Sequence, residues 1–462
     1  MESIWLKDVS FQKRSPLHRD LKSDVVILGA GITGLLTAYL LKEKGIRAVI
    51  LEADRICGGQ TKGTTAKITS QHHLIYGRLI RSYGEEMARH YAALNEWAIR
   101  EYERIIAEKE ISCDFVKCPA NLYSCMEAEP LQKEAEAAKK VGIHAEFKTE
   151  CELPFSVKGI LEFRDQARFH PLKFLSEIAK EAEIYEETPV LKVEHHSPGN
   201  NFVITRNGIV SAGKVIFACH FPFVNVPGYY FARMYQERSY VIALENAMEL
   251  RGCYLGIDRD GYSFRQEGEF LLLGGGSHRT GDNRQGGKYQ MLRDEAGKLW
   301  PKCREAAYWS AQDCMTLDGI PYIGPFDKKA DDWYAATGFG KWGMTSAMAG
   351  AGILTAALEG KEMKEADIFS PRRKISRMAV KEFAVNGGVT AGNLAKQLLS
   401  VKRTVTGEAE GRPFEVSVKC PHLGCKLSWN PDECTWECPC HGSRFHSGGE
   451  LADGPAQKGI GV

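Results

Sequence analysis

The sequence contains no apolar run that approaches the roughly 20 residues of a membrane-spanning helix. It also lacks an excess of one charge, because 60 Lys and Arg residues are balanced by 59 Asp and Glu residues and the net charge is +1. So small a net charge gives no global field that would concentrate nucleic acid, an anionic membrane or an acidic substrate. Residues 1–5 lack the basic stretch and apolar core of a secretion signal. We therefore expect a cytoplasmic protein with no integral membrane segment and no nucleic-acid partner.

Fixed-period repeats and low-complexity tracts are absent too, so hydrophobic periodicity and turn residues must locate the domains. A chain of 462 residues, 44% of them hydrophobic, exceeds what one compact core usually holds and predicts two or three domains. Its 14 cysteines are too dilute for a secreted disulfide scaffold, yet five of them fall between Cys420 and Cys440. That local density indicates a metal site.

The clearest local unit lies near the start of the chain. Residues 24–28 predict a buried strand, residues 29–34 a turn, residues 35–44 a helix, and residues 48–52 a second buried strand. Connection rules make such a βαβ unit parallel and right-handed. Other periodic segments predict a helix over 85–108, strands over 190–217 with a hairpin turn at Asn207-Gly208, a strand-rich substrate sheet over 237–280, a strand over 332–336 and a helix over 344–358.

The turn of this unit carries a dinucleotide-binding pattern. Gly29-x-Gly31-x-x-Gly34 follows a strand and opens a helix, and Glu52 ends the next strand. The glycines allow a tight turn and close approach of a pyrophosphate, the helix N-terminus favours phosphate, and Glu52 can accept hydrogen bonds from ribose hydroxyls. The alternative is a glycine-rich turn that binds nothing. These residues alone do not separate FAD from NAD.

Further segments resemble the flavin-binding parts of the D-amino-acid oxidase superfamily, which includes the glycine and sarcosine oxidases. They are Gly58-Gly59-Gln60-Thr61, Gly63-Thr64-Thr65-Ala66, Asp318-Gly319-Ile320-Pro321-Tyr322-Ile323-Gly324 and Ala336-Thr337-Gly338-Phe339-Gly340. The resemblance implies an α/β (α+β) flavoprotein with a discontinuous Rossmann-like FAD domain and a mixed-sheet substrate domain. It assigns FAD to Gly29, Gly31, Gly34, Glu52, Gly59, Gln60, Thr64, Thr65, Gly338, Gly340, Gly343 and Thr345.

The expected domain order follows from these segments. An N-terminal segment, 1–23, precedes an FAD-dependent oxidoreductase region over 24–360. Within that region we expect FAD-binding parts at about 24–80, 155–220 and 315–360, and substrate parts at about 81–154 and 221–314. A connector over 361–407 then leads to a small all-β domain over 408–462.

Residues for substrate chemistry are less distinctive, because in this superfamily the flavin removes hydride and the protein mainly orients the substrate. Arg265 is a candidate to hold a substrate carboxylate, and a structural ion pair is its alternative. His278 resembles a substrate-side histidine of sarcosine-oxidase-like members. Those members carry an oxygen-activating lysine where this chain has Gly274, which predicts slow oxidation by oxygen. Cys314 lies near where some sarcosine oxidases attach flavin covalently, although a buried, inert cysteine is the alternative.

The C-terminal region contains two short loops, Cys420-x-His422 and Cys438-x-x-His441. Two cysteines on one iron and two histidines on the other define Rieske [2Fe–2S] ligation. Zinc is the competing metal, because cysteine and histidine at these spacings also suit a zinc site. The strings Cys420-Pro421-His422-Leu423-Gly424-Cys425 and Cys438-Pro439-Cys440-His441-Gly442-Ser443 resemble the Rieske family and favour the iron–sulfur cluster.

The Rieske resemblance has three further implications. It implies a disulfide between Cys425 and Cys440 and a hydrogen bond from Ser443 to a bridging sulfide. Phe445 stands where many high-potential members have tyrosine, so we predict an intermediate reduction potential. Only residues 407–419 precede the first loop in the expected domain, which makes the domain shorter than usual.

Together these features predict a flavoprotein dehydrogenase. It would oxidise a small amine or amino-acid-like substrate on FAD and pass single electrons through the cluster to an external one-electron acceptor. One alternative is an electron-transfer or reductase module, against which the lack of a visible second GxGxxG for NAD(P)H counts. Another alternative is a redox sensor without an organic substrate.

Overall fold

The computed structural model describes residues 2–374, 376–398, 404–409 and 412–462. Within these residues, short 3₁₀ helices cover Ile4–Leu6, Gln60–Gly63 and Lys364–Phe369. The α-helices are α1 Ile32–Glu43, α2 Tyr76–Tyr83, α3 Glu85–Glu108, α4 Glu129–Lys140, α5 Pro171–Ala179, α6 Tyr230–Arg233, α7 Lys288–Leu299, α8 Gly343–Leu358 and α9 Arg377–Leu398. None of the helices in the described ranges is both long and apolar enough to cross a membrane.

The strands include every strand-rich region that the sequence predicts. They are β1 Leu21–Leu28, β2 Ala48–Leu51, β3 Lys67–Ile68, β4 Val116–Ser124, β5 Ala145–Lys148, β6 Gly159–Arg168, β7 Glu183–Tyr185, β8 Lys192–Ser197, β9 Asn200–Ile204, β10 Ile209–Phe217, β11 Met234–Glu245, β12 Cys253–Gly256, β13 Ser263–Glu267, β14 Phe270–Arg279, β15 Arg304–Thr316, β16 Tyr322–Asp327, β17 Ala330–Thr337, β18 Thr404–Ala409, β19 Arg412–Ser417, β20 Ser428–Asn430, β21 Thr435–Glu437, β22 Arg444–His446 and β23 Leu451–Asp453.

The first sheet has the order β16-β17-β10-β1-β2-β7, with β9 paired to β10 and β8 paired to β9. Strand β1 is parallel to β2 and β10, as the βαβ pattern predicts. Its alternate side chains enter two apolar cores, because strand side chains point to opposite faces. Val25 and Ile27 join the core that contains α1 and α8, whereas Val26 and Leu28 join a core on the other face with Phe217. Both faces of β1 are therefore covered.

The second sheet has the order β15-β11-β14-β13-β12-β4-β6-β3, with β5 paired to β6. It joins strands from segments that were expected to bind FAD with strands from segments that were expected to bind substrate. Strands β3 and β6 fall in segments assigned to FAD binding, but β6 pairs with β4 and β5, and β3 pairs with β6. The long helix α3 spans the predicted residues and buries its apolar stripe.

The C-terminal region has a two-stranded sheet, β18-β19, and a four-stranded sheet, β20-β21-β22-β23. Leu427, Trp436 and Phe445 form its small apolar core. The architecture confirms the predicted fold class, a flavoprotein-like α/β body with a small all-β region. The expected connector, 361–407, contains a 3₁₀ helix and α9, and β18 crosses its boundary; its residues 375 and 399–403 lie outside the described residues.

Candidate functional site

The glycine turn lies at the carboxyl end of β1, where parallel sheets bind nucleotides. Helix α1 begins at Ile32, earlier than the sequence predicts, so Gly34 belongs to its first turn. Gly29 has φ +109°, and a Cβ there would lie 2.8 Å from the carbonyl oxygen of Ala218. A Cβ on Gly34 would lie 2.0 Å from the carbonyl oxygen of Gly29. Both positions therefore require glycine, and the helix N-terminus packs directly onto the turn.

Glu52 and Thr61 complete this turn. The Glu52 carboxylate accepts hydrogen bonds from the backbone N–H of Ala30 at 2.7 Å and of Asp54 at 2.9 Å. Burial raises the pKa of Glu52. The Thr61 hydroxyl accepts a hydrogen bond from Ile32 N–H at 3.1 Å, which joins the Gln60–Gly63 helix to the glycine turn. The first turn of α1 carries no acidic residue, so nothing there repels a pyrophosphate.

Two tryptophans hold the segment that contains Thr64 and Thr65. The Trp5 indole donates to the carbonyl oxygen of Thr64 at 2.7 Å, and the Trp309 indole donates to that of Gly63 at 3.0 Å. Around Gly59 the structure has open space, with no heavy atom within 4 Å of a built Cβ. Sequence reasoning missed both tryptophans, and Trp5 belongs to the expected N-terminal segment. These two hydrogen bonds fix the backbone of residues 63 and 64.

The downstream glycine segment joins the same region. Gly340 N–H donates to the carbonyl oxygen of Cys314 at 2.9 Å, and α8 starts at Gly343. Thr345 donates to the carbonyl oxygen of Thr69 at 2.9 Å, so the start of α8 is tied to the segment after β3. Trp342 stacks on His72 with ring centroids 4.8 Å apart. The start of α8 and the segment after β3, although far apart in sequence, therefore meet in space.

Cys314 is buried beside this junction. Its sulfur contacts Met234 Sδ at 3.6 Å and Thr337 Oγ1 at 4.0 Å. Burial raises the pKa of the Cys314 thiol to about 12, so the thiol is protonated at neutral pH. This environment favours the inert-cysteine alternative.

Arg265 lies on β13 and is fully buried. Its Nη2 donates to Glu267 at 2.6 Å and to the carbonyl oxygen of Phe169 at 2.8 Å, and the guanidinium lies over the Trp5 ring. These contacts are those of a structural ion pair, which was the alternative to substrate binding for Arg265.

Lys67 lies nearby. Its ammonium hydrogen-bonds Ser263, which pairs across the sheet with Gly274. Burial lowers the pKa of Lys67 to about 8.

Among the described residues, the His278 ring contacts Tyr240 and Arg279, neither of which belongs to a flavin-like segment. Its Nε2 pairs with the Tyr240 hydroxyl at 3.0 Å, and its Nδ1 pairs with the carbonyl oxygen of Arg279 at 2.7 Å. Tyr240 in turn accepts from Asn430 of the C-terminal region at 3.2 Å. The structure therefore places His278 in a polar network that reaches β20.

The four predicted ligands of the C-terminal loops come together. The His422 and His441 rings are 5.0 Å apart, and the Nδ1 atom of each is buried without a hydrogen-bond partner. Burial lowers the pKa of His422 to about 4 and of His441 to about 3, so both imidazoles are neutral. A hydrogen bond from Cys438 lowers the pKa of Cys420 to about 7. Two facing thiols and two unpaired neutral nitrogens fit the mixed ligation of a [2Fe–2S] cluster.

A disulfide joins Cys425 to Cys440, as the family resemblance implies. The Sγ atoms of Cys425, Cys438 and Cys440 lie within 4.8 Å of one another, so the disulfide staples the two loops beside a predicted ligand. Ser443 is buried and its hydroxyl hydrogen-bonds Cys420. Phe445 lies in the apolar core of the region and supplies no hydroxyl. Cys434, by contrast, is exposed.

The second loop docks against the flavin-like segment of residues 60–63. The Gln312 side chain donates to the carbonyl oxygen of Gly442 at 3.0 Å, and its backbone N–H donates to Gln60 Oε1 at 2.7 Å. The Gln60 side-chain nitrogen donates to Asp453 of β23. One residue, Gln312, thus bridges a predicted FAD-binding side chain and the predicted cluster loop.

A second bridge runs through β11. Gln236 donates to the carbonyl oxygen of His441 at 2.8 Å, and its Oε1 pairs with His220 at 3.1 Å. Gly442 has φ +80°, and a Cβ there would lie 2.6 Å from Cβ of Gln236. Glycine is therefore required for the close approach of the cluster loop to β11.

A buried ionic network secures this docking. Arg238 of β11 pairs with Glu433, which also pairs with Arg444, and the Arg238 and Glu433 side chains are only 1% and 3% exposed. Burial alone would raise the pKa of Glu433, but the two arginines lower it to about 2. Arg279 donates to the carbonyl oxygen of Pro439 at 2.9 Å. Sequence reasoning identified none of these residues, because each charge alone resembles a surface charge.

Comparison with known proteins finds two family models along the chain. The family model described as FAD dependent oxidoreductase matches residues 24–358, and that of the Rieske [2Fe-2S] domain matches residues 377–462. The Rieske match thus begins before the expected boundary at 408 and includes α9. It favours the iron–sulfur cluster over zinc.

Relatives extend over the whole chain. YhfW of Bacillus subtilis (strain 168), named as a Rieske 2Fe-2S iron-sulfur protein, is 36% identical and the match covers 99% of this chain and 96% of the relative. Glycine oxidase from Geobacillus kaustophilus has a TM-score of 0.65 at 18% identity, over 77% of this chain and all of that one. L-amino acid deaminase from Proteus vulgaris has a TM-score of 0.64 at 15% identity, over 79% and 100%. The two structures share the fold of the flavoprotein part.

Proposed function

Because this chain belongs to the FAD-dependent oxidoreductase family and carries a C-terminal Rieske [2Fe–2S] domain, we propose that it is a dehydrogenase for a small amine or amino-acid-like substrate. In this proposal electrons leave singly through the cluster to an external one-electron acceptor. FAD supplies two-electron oxidation of the substrate, and the cluster exchanges one electron at a time. The named activities of glycine oxidase and L-amino acid deaminase, which share the fold, support an amino-acid-like substrate.

The observation that carries the proposal is the contact between the two cofactor regions. Gln312 hydrogen-bonds both Gln60 and Gly442, and Gln236 hydrogen-bonds the carbonyl of His441. The predicted ligand loop is therefore already held against the predicted flavin segment, and no domain rotation is needed to bring them together.

We assign the residue roles as follows. Gly29, Gly31 and Gly34 would let the pyrophosphate approach α1, and Glu52 would hold the ribose. Gly59, Gln60, Thr64, Thr65, Gly338, Gly340, Gly343 and Thr345 would line the ring end of the flavin site. Cys420, Cys438, His422 and His441 would bind the cluster, with the histidines through the unpaired Nδ1 atoms.

The deciding experiment combines metal analysis with substrate reduction. Iron, zinc and flavin are quantified on anaerobically purified protein, and low-temperature EPR is recorded after addition of dithionite or of single amino acids and amines. We expect about one [2Fe–2S] cluster per flavin and a cluster signal after substrate addition. Zinc in place of iron, or flavin bleaching by substrate with no cluster signal, would contradict the proposal.

A second experiment tests the reductase alternative. Stopped-flow mixing with NADPH should leave the flavin oxidised, whereas fast reduction by NADPH would indicate a reductase.

A third experiment tests the route of the electrons. Gln312→Leu removes the bridge to Gly442 while keeping the backbone donor to Gln60. In this variant we expect substrate to bleach the flavin at the wild-type rate but the cluster signal to appear about tenfold more slowly, the scale of one lost hydrogen bond. An unchanged rate of cluster reduction would show that the bridge is not on the route.

A further inference from the structure

The flavoprotein part supplies a cap over the two histidines of the cluster site. The cap comprises residues 218–233, which are the loop after β10 and helix α6. Asn225 Oδ1 lies 2.8 Å from His422 Nε2. The Phe231 ring lies edge-on to both imidazoles, with centroids 6.4 Å from His422 and 5.8 Å from His441. An amide and an aromatic ring from one domain thus contact the predicted ligands of another.

The hydrogen bond from His422 to Asn225 defines which ring nitrogen carries the proton. With the amide oxygen as acceptor, Nε2 bears the hydrogen and Nδ1 presents a lone pair. The reverse arrangement would place an N–H at Nδ1, which is buried and has no partner, and an unpaired buried donor is unfavourable. The contact with Asn225 therefore keeps His422 in the tautomer that binds metal through Nδ1.

Such a partner also changes the electron density of the imidazole. A ligand histidine that donates its second N–H to an oxygen becomes a more basic ligand and its ring orientation is fixed. A more basic ligand stabilises the oxidised cluster relative to the reduced cluster and lowers the reduction potential. His441 is held differently, because its contact with Gln236 is through the backbone carbonyl.

We propose that Asn225 is a positioning residue of the cluster site, through which the flavoprotein cap fixes the orientation of His422 and lowers the potential of the cluster. This inference rests on the proposed role of His422 as a ligand. The electron-accepting power of the cluster is then set partly by the domain that delivers the electrons.

The test is a redox titration of the full-length protein, followed by EPR, for three variants. Asn225→Leu removes the acceptor at similar volume, and Asn225→Asp replaces it with a stronger acceptor. Val226→Ala is the matched control, because it changes the exposed neighbour on the same loop. We expect Asn225→Leu to favour the reduced cluster by about tenfold, or about 59 mV for one electron. Asn225→Asp should shift the potential in the opposite direction, and Val226→Ala should leave it unchanged.

The outcomes separate this inference from the proposed function. Wild-type protein without iron would contradict the proposed function itself. If the wild type contains the cluster and both Asn225→Leu and Asn225→Asp have the same cluster potential and g values as the wild type, only the role of Asn225 is overturned. If Asn225→Leu fails to retain iron, Asn225→Asp decides alone: a lower potential supports the inference and an equal or higher one overturns it.

Discussion

The flavoprotein part and the cluster region are stabilised in different ways. The flavoprotein part has two large sheets, and apolar side chains from both faces of β1 enter separate cores. Its predicted flavin-binding turns are held by side chains that donate to backbone carbonyls, such as Trp5 and Trp309. Apolar burial of this extent supplies most of the folding free energy of a domain.

The cluster region has short strands and a small apolar core, and Cys420, Cys425, Cys438 and Cys440 belong to that core. A disulfide joins its two ligand loops, and buried charges join it to β11. A region of this size seldom folds stably from apolar burial alone and needs additional links. We therefore expect the cluster region to depend on the flavoprotein part for its stability, and the flavoprotein part to depend only weakly on the cluster region.

Removal of the buried arginine should break this dependence most strongly. In Arg238→Met, Glu433 keeps Arg444 but loses its most buried partner, and removal of one partner of a buried ion pair costs about 3 kcal/mol or more. We expect the cluster region to separate from the flavoprotein part at a lower urea concentration. The measurement follows visible circular dichroism of the cluster and fluorescence of released flavin in one titration.

The matched control is Arg304→Met. Arg304 pairs with Glu245 on the surface, and its side chain is 71% exposed, so its loss should change neither transition measurably. If Arg238→Met moves both transitions together, the two regions unfold as one unit and the proposed asymmetry is incorrect.

Removal of the disulfide should have the next largest effect. The double variant Cys425→Ser, Cys440→Ser removes a link across a sequence separation of 15, which corresponds to about 3 kcal/mol in the chain-entropy account. We expect the cluster transition to move to lower urea while the flavin transition stays in place. Cys434→Ser, at an exposed thiol, is the control. An unmoved cluster transition would show that the ionic network alone holds the loops.

Acid should weaken the same interface. The pKa of Glu433 is lowered from 4.5 to about 2 in the folded protein. Its stabilising contribution is therefore complete above about pH 4.5 and is lost as the pH falls toward 2. We expect the difference in cluster-region stability between the wild type and Glu433→Gln to be constant near neutral pH and to shrink through this window. A difference that does not depend on pH would show that folding does not lower the pKa of Glu433.

The sequence predicted the parts of the fold that depend on neighbouring residues. The βαβ unit and α3 were recognisable because their periodicity lies within one segment. The assignment of β6 to the second sheet was not, because its pairing with β4 and β5 depends on residues elsewhere in the chain. The helix α9 was missed because its pattern shows no strong apolar stripe.

The same distinction applies to the functional site. The four residues predicted to bind the cluster could be proposed because each pair lies within four residues, and the glycines predicted to bind FAD because their turn is local. The bridge through Gln312 and the ion pair of Arg238 with Glu433 were not, since 195 residues separate the two charges. Buried long-range polar contacts carry no local pattern, and only the folded chain brings them together.

The smallest effect is expected at Cys314, in the flavoprotein part. The cluster would be held by bonds to protein sulfur and nitrogen, whereas we expect the flavin to be held by packing and hydrogen bonds alone. Burial keeps the Cys314 thiol protonated, with a pKa of about 12, and a protonated thiol is a poor nucleophile toward the flavin. Denatured wild-type protein should therefore show no fluorescent band on an SDS gel, and Cys314→Ser should retain wild-type flavin content. A fluorescent wild-type band that disappears in Cys314→Ser would show that both regions bind their cofactors through cysteine.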